Sequence, residues 1–296
     1  MSDSPKLRVL PRPRPPRRPR LRGTSFNRML PNLMTLVGLC VGFTAIRFAL
    51  DARFGAAVIA IAVSAVIDGL DGRLARLLKA TSRFGAEFDS LSDFLCFGVA
   101  PALTLYLWAL EDWGAFGYFP SLIFTACMAL RLARFNAALD SGHMPGAGRL
   151  PRHLPAFRFS HNFFTGVPAP AGAGLALLPV YLGLEAQEHH FVWLDRIARA
   201  PALATVVLVG VALLCVSNLP VWNFKNFKVP PEYVLAILLA VMVVAALMMA
   251  DPWAGLALLA IAYLAMLPAS RRSFRRLQAE AEARLAQDEE RAQDDR

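Results

Sequence analysis

The chain has 296 residues, 56% of them hydrophobic, with a mean hydropathy of +0.44, a formal charge of +9 and a pI near 9.9. Soluble domains hold roughly a quarter of their residues as charges spread over a surface, whereas here 18% are charged and they are clustered. That balance argues against a soluble nucleic-acid binder and points to a membrane protein with basic ends. The four cysteines, Cys40, Cys96, Cys127 and Cys215, lie inside apolar runs without a C-x-x-C pair, so neither a zinc site nor a disulfide framework is expected.

Residues 1–30 carry nine Lys or Arg against the single acid Asp3, interleaved with proline. They read as a disordered cytoplasmic arm with an affinity for anionic lipid. A cleaved signal peptide is not expected, because the following apolar run is too long and lacks an A-x-A-like exit. Residues 31–270 predict an all-α, polytopic membrane helix bundle, since a bilayer core needs roughly 20 apolar residues of helix to cross. About eight transmembrane helices are expected, near 31–50, 54–78, 92–110, 117–136, 165–184, 201–217, 232–250 and 253–270. Residues 271–296, with seven Arg and seven acids, form a charged cytoplasmic tail read as a solvated helix. With both termini in the cytoplasm, 27 of the 31 Lys and Arg fall on that side, leaving only Arg47, Arg53, Arg196 and Arg199 opposite. This is the asymmetry that the positive-inside rule describes.

The chemistry is concentrated between Ser64 and Pro101. Asp68 and Asp71 are spaced i, i+3 near the end of the second run, and Asp89 and Asp93 are spaced i, i+4 near the start of the third. Each spacing puts two carboxylates on one helix face, and a connection over about 79–88 would fold the helices into a hairpin with all four converging. Unpaired ionisable groups in a membrane are costly, and converging carboxylates repel. Two hard divalent cations, Mg²⁺ or Mn²⁺, would relieve that repulsion, and two-metal carboxylate sites suit phosphoryl transfer. Gly72 and Ala75 leave room for a ligand on the same helix, and Arg76 can neutralise phosphate charge. The five histidines show no metal-ligand spacing, and none is expected to be a ligand.

The string Asp68-x-x-Asp71-Gly72-x-x-Ala75-Arg76, eight residues, Gly85-x-x-x-Asp89-x-x-x-Asp93 resembles at every position the signature of the CDP-alcohol phosphotransferase family. Members are integral membrane enzymes that displace CMP from a CDP-linked lipid with an alcohol. The resemblance implies that Asp68, Asp71, Asp89 and Asp93 ligate two metal ions, with Asp93 also the general base. It places Asn32, Thr35, Gly72, Ala75, Arg76, Ser82 and Gly85 around the CDP-lipid, Asn32 and Thr35 through the segment Pro31-Asn32-Leu33-Met34-Thr35.

The segments at 88–102, 129–136, 164–173 and 217–230 are similar to the serine-using bacterial branch, with Val167 and Ala169 as departures from its usual Leu and Ser. That similarity implies CDP-diacylglycerol and L-serine as substrates, a homodimer, and the bacterial inner membrane with the site facing the cytoplasm. A zwitterionic serine needs a cation for its carboxylate. Arg131, Arg134 and Asn136, at the cytoplasmic end of the fourth run, could form that pocket, or the two arginines could serve as positive-inside anchors. Competing expectations are another acceptor (choline, glycerol phosphate or inositol phosphate) and, in a different class, a cation or proton transporter. Transporter sites sit near the midplane between repeats, whereas these aspartates lie at one end of their helices.

Overall fold

The computed structural model describes residues 26–140, 163–217, 219–222 and 231–294. The arm up to residue 25, His143, His153, His161, Lys225 and Lys228 lie outside the described residues. Helix α1 (Phe26–Leu50) begins earlier than the expected first span and carries Pro31 inside it. A tight turn at 51–53, with Ala52 at φ 55, returns the chain into α2 (Phe54–Leu77). The next helix, α3 (Arg83–Asp93), is prolonged by a π-helical stretch Phe94–Val99, α4 (Ala100–Leu105) and a second π-helical stretch Tyr106–Leu110. Gly114, at φ 54 and ψ −128, breaks this rod before α5 (Gly114–Asp140).

The chain folds back at Gly114. Tyr106 stacks edge-on against Tyr118, Gly98 approaches Met128, and Ser90 hydrogen-bonds Asn136, so partners run in opposite directions. A two-stranded antiparallel ribbon, β1 (Phe163–Thr165) with β2 (Pro220–Trp222), pairs Phe163 with Trp222. Between the strands run α6 (Ala169–Ala176), α7 (Leu178–Glu188), α8 (Val192–Ala198) and α9 (Pro201–Val216), and the chain ends in α10 (Pro231–Ala250) and α11 (Pro252–Asp294).

By length and composition four helical segments can cross a membrane: Met29–Leu50, Phe54–Leu77, Arg83–Ala137 and Pro252–Arg276. The number rises to six if the pairs α6/α7, bent by 43°, and α8/α9, bent by 51°, each make one span. The apolar run at 165–184 is therefore not one straight helix, because Pro179 opens α7 without an N–H to continue the ladder. The run at 201–217 starts at Pro201 after the short α8 for the same reason. The expected boundary at 270/271 has no break in the backbone, since α11 runs through it.

Large apolar side chains point outward: Phe43 is 62% exposed, Leu77 80% and Met249 89%. Such a surface would be untenable in water and suits lipid, where helix contacts depend on small residues and close packing. Accordingly Ala45, Ala57, Ala100, Ala204 and Ala212 are buried, around Phe97, Phe124, Leu105 and Met128. A Cβ on Gly42 would collide with the Cys96 thiol, and one on Gly183 with the Trp108 ring.

At the end of α7, His189 Nε2 lies 3.1 Å from Asp251 Oδ2 and 3.4 Å from Glu185 Oε1, tying the helix to the α10–α11 turn. The hydrogen bond to Asp251, helped by the neighbouring Glu185 and Glu188 carboxylates and opposed by desolvation, holds His189 above its usual value of 6.5. A raised folded-state value means the contact stabilises fully below pH 6.5 and is lost as pH rises through the folded value. A His189→Asn variant is thus expected to melt below the wild type at pH 6, with the gap closing as pH is raised; a pH-independent gap would contradict this.

Candidate active site

Three helices build the site. Ser64, Asp68 and Asp71 share one face of α2, and Asp89, Ser92, Asp93 and Cys96 share one face of α3 and its π-helical extension, by i, i+3 and i+4 spacing. From α1 come Thr35 and Gly38, which line the same narrow cleft as Ser64, Asp68, Asp71, Ser92, Asp93, Cys96 and Phe97. The connection is shorter than expected, because Ser82 caps α3 by accepting from Gly85 N at 3.0 Å. Helix α3 therefore starts at Arg83 and Asp89 sits well inside it.

The aspartates converge as expected. Asp68, Asp71 and Asp89 each offer a carboxylate oxygen, and these lie within 4.8 Å of one another. Asp93 lies within hydrogen-bonding reach of Asp68. Asp71 is buried, and its Oδ2 accepts from Thr35 Oγ1 at 2.7 Å. At such separations two charged carboxylates repel by roughly 3 kcal/mol at an effective dielectric of about 20, so the group calls for a cation. Asp89 Oδ1 is buried with no hydrogen-bond partner. Three converging carboxylates, one of them with an orphaned oxygen, are a donor set of the kind a hard divalent ion takes, and the residues fit such an ion. Glu185, His189 and Asp251 form a second group of this kind at the far end of the bundle, but there the donors bond one another.

The residues expected around the nucleotide divide in two. Asn32, Ser82 and Gly85 pack together, since a Cβ on Gly85 would lie 2.9 Å from Asn32 Oδ1 and 3.1 Å from Ser82 Oγ. Gly72 faces open space, with nothing within 4 Å of an added Cβ. Arg76 is exposed, while Ala75 is half-buried and its carbonyl accepts from Ala80 N in the turn.

Of the residues expected around serine, the two arginines are engaged with the backbone. Arg131 Nε donates to Val167 O at 2.7 Å and Arg134 Nη1 to Val216 O at 2.8 Å. Arg131 still lies within electrostatic reach of Asp93. Asn136 accepts from Ser90 Oγ at 3.1 Å. Ser64, Ser92 and Gly38 were not singled out from the sequence, although the i, i+4 step from Asp68 back to Ser64 is a usable signal.

The model of the CDP-alcohol phosphatidyltransferase family matches residues 28–216, spanning every element of this site. The chain belongs to that family. A second model, CDP-alcohol phosphatidyltransferase 2, matches residues 232–268 of this family member. Curated relatives include the CDP-diacylglycerol–serine O-phosphatidyltransferase of Mycobacterium bovis, 38% identical over 83% of this chain and 79% of the relative. The enzymes of the same name from Mycobacterium leprae and Helicobacter pylori are each 36% identical, over 90% and 68% of this chain and 82% and 74% of theirs.

The open space at Gly72 separates folding from binding. A Gly72→Leu variant is expected to keep or slightly raise its melting temperature, because leaving glycine in a helix costs about 1 kcal/mol. The same variant is expected to lose binding of a CDP-lipid in a direct binding assay; retained binding would place the ligand elsewhere.

Proposed function

We propose that the protein transfers the phosphatidyl group of CDP-diacylglycerol to the hydroxyl of L-serine, forming phosphatidylserine and CMP. The observation that carries the reaction is the convergence of Asp68, Asp71 and Asp89, one Asp89 oxygen being buried without a partner, with Asp93 in reach of Asp68. The choice of serine rests on the relatives named for it, which match most of the chain. Two divalent ions, Mg²⁺ or Mn²⁺, would be held by Asp68, Asp71, Asp89 and Asp93, and when bound they supply charge neutralisation for the diphosphate and the departing CMP.

The chain's own residues do the rest. Thr35 orients Asp71 through its 2.7 Å hydrogen bond. Asn32, Ser82 and Gly85 wall the nucleotide side, and Gly72 and Ala75 leave the diphosphate room beside Arg76. Asp93 accepts the proton of the serine hydroxyl, whose oxygen attacks the β-phosphorus as the bond to CMP breaks. Arg131, near Asp93, attracts the serine carboxylate, while Arg134 and Asn136 hold the pocket's backbone and its α3 wall.

In this reading the enzyme spans the bacterial inner membrane eight times, with both termini and the site in the cytoplasm, and it works as a homodimer. The fold-back at Gly114 supports counting Arg83–Ala137 as two spans. The catalytic unit is 31–270, flanked by the basic arm 1–30 on anionic lipid and the tail 271–296.

Asp93→Asn is expected to lower turnover by at least about a hundredfold, the scale of a lost general base, while CDP-lipid binding persists; substantial activity would refute the base assignment. EDTA is expected to stop CMP release and Mg²⁺ or Mn²⁺ to restore it. Purified protein given CDP-diacylglycerol and a panel of labelled alcohols should release CMP with serine alone. Turnover with choline, glycerol phosphate or inositol phosphate instead would reassign the acceptor.

A further inference from the structure

Arg53 and Arg199 are two of the four basic residues expected on the side opposite the aspartates, and they line one cleft of about 620 Å³. The cleft lies between the α1–α2 turn, α7 and the α8–α9 junction, with Gly55, Trp108, Leu184 and Gln187 among its walls. Arg53 precedes Asp68 by fifteen positions, about 22 Å along α2, so the cleft opens at the other end of the bundle.

The two guanidinium groups are held differently. Arg199 stacks over the Trp108 ring, 4.0 Å from its centroid, and its Nε donates to Asp195 Oδ1 at 3.1 Å. Gln187 Nε2 reaches the same Asp195 oxygen at 3.4 Å. Asp195 thus fixes the Arg199 plane and cancels one of the two charges. Arg53 lies over the Phe48 ring at 4.9 Å and makes no ion pair among the described residues. The balance leaves one net positive charge facing a cleft whose remaining wall, apart from the Gln187 amide, is aromatic and aliphatic. The N–H groups that open α2, at Phe54, Gly55 and Ala56, lie along the cleft and receive no side-chain cap.

One positive charge above an apolar wall at a membrane boundary is complementary to one singly charged phosphodiester attached to acyl chains. Guanidinium groups are suited to phosphate oxygens, and the Trp108 and Leu184 wall suits the glycerol backbone and the first methylenes. We propose that this cleft binds the phosphodiester headgroup of an anionic phospholipid in the leaflet opposite the aspartate site. The lipid would bridge the α1–α2 turn to α7 and α8.

The test uses the full-length protein in a neutral detergent, titrated with phosphatidylglycerol, phosphatidylcholine or inorganic phosphate and followed by native mass spectrometry and melting temperature. Phosphatidylglycerol is expected to bind and stabilise the wild type more than phosphatidylcholine does. Arg53→Gln is expected to weaken phosphatidylglycerol binding about tenfold, the scale of a charged hydrogen bond, with CMP release unchanged. Arg47→Gln removes a charge already paired with Asp51 outside the cleft and is expected to leave binding intact. Because the basic arm is present in every variant, its lipid affinity cancels. Equal losses for the two variants, or none for Arg53→Gln, would overturn the site. Binding of inorganic phosphate without a response to phosphatidylglycerol would assign the cleft to a soluble anion and overturn the lipid.

Discussion

Everything in this molecule is arranged around the mutual repulsion of carboxylates brought together where water is scarce. Three of them present oxygens within 4.8 Å of one another, and a fourth, Asp93, reaches Asp68. Roughly 3 kcal/mol of repulsion per charged pair is more than one hydrogen bond such as that from Thr35 to Asp71 offsets. The cluster is therefore a demand for cations, and the packing of three helices is what keeps it assembled against that repulsion.

The means of assembly are small residues at helix crossings. Gly42 admits the Cys96 thiol, and Gly85 lets Asn32 and Ser82 close on one another. The first brings α1 against the extension of α3, and the second sets the start of α3 beside α1. A larger side chain at either position would separate helices whose spacing fixes the carboxylate geometry. Arg131 and Arg134 work similarly at longer range, since their bonds to Val167 O and Val216 O anchor the ends of the α6 and α9 segments to α5. An arginine expected as a substrate clamp is thus a backbone clasp in the fold.

One helix irregularity lies next to the chemistry. The first π-helical stretch follows Asp93 directly, and the ribbon of β1 and β2 sits where Arg131 and Arg134 reach across. Irregular backbone within a membrane protein is tolerated where it is buried in protein or lines a cavity. π-helical stretches of this kind are frequent at functional sites. The opposite end of the bundle is held by polar side chains instead, with His189 against Asp251 and Asp195 between Gln187 and Arg199.

The aspartate quartet, the family and the membrane-helical class were legible in the sequence because each depends on local spacing: i, i+3 and i+4 steps and apolar runs of bilayer length. The break at Pro179 carried a local signal too, but hydropathy alone ran through it, whereas the start at Pro201 coincides with the edge of an apolar run. The partners of Arg131, Arg134 and Asn136 were not legible, since they lie 36, 82 and 46 positions away in the chain. The same holds for the Arg53 and Arg199 cleft, whose two cations are neighbours only after α2 and the α8–α9 junction have packed. Sequence determined which charges exist and which helix face carries them, because helical geometry is a property of a few consecutive residues. Tertiary structure decided which of those charges meet, because that depends on contacts between segments far apart in the chain.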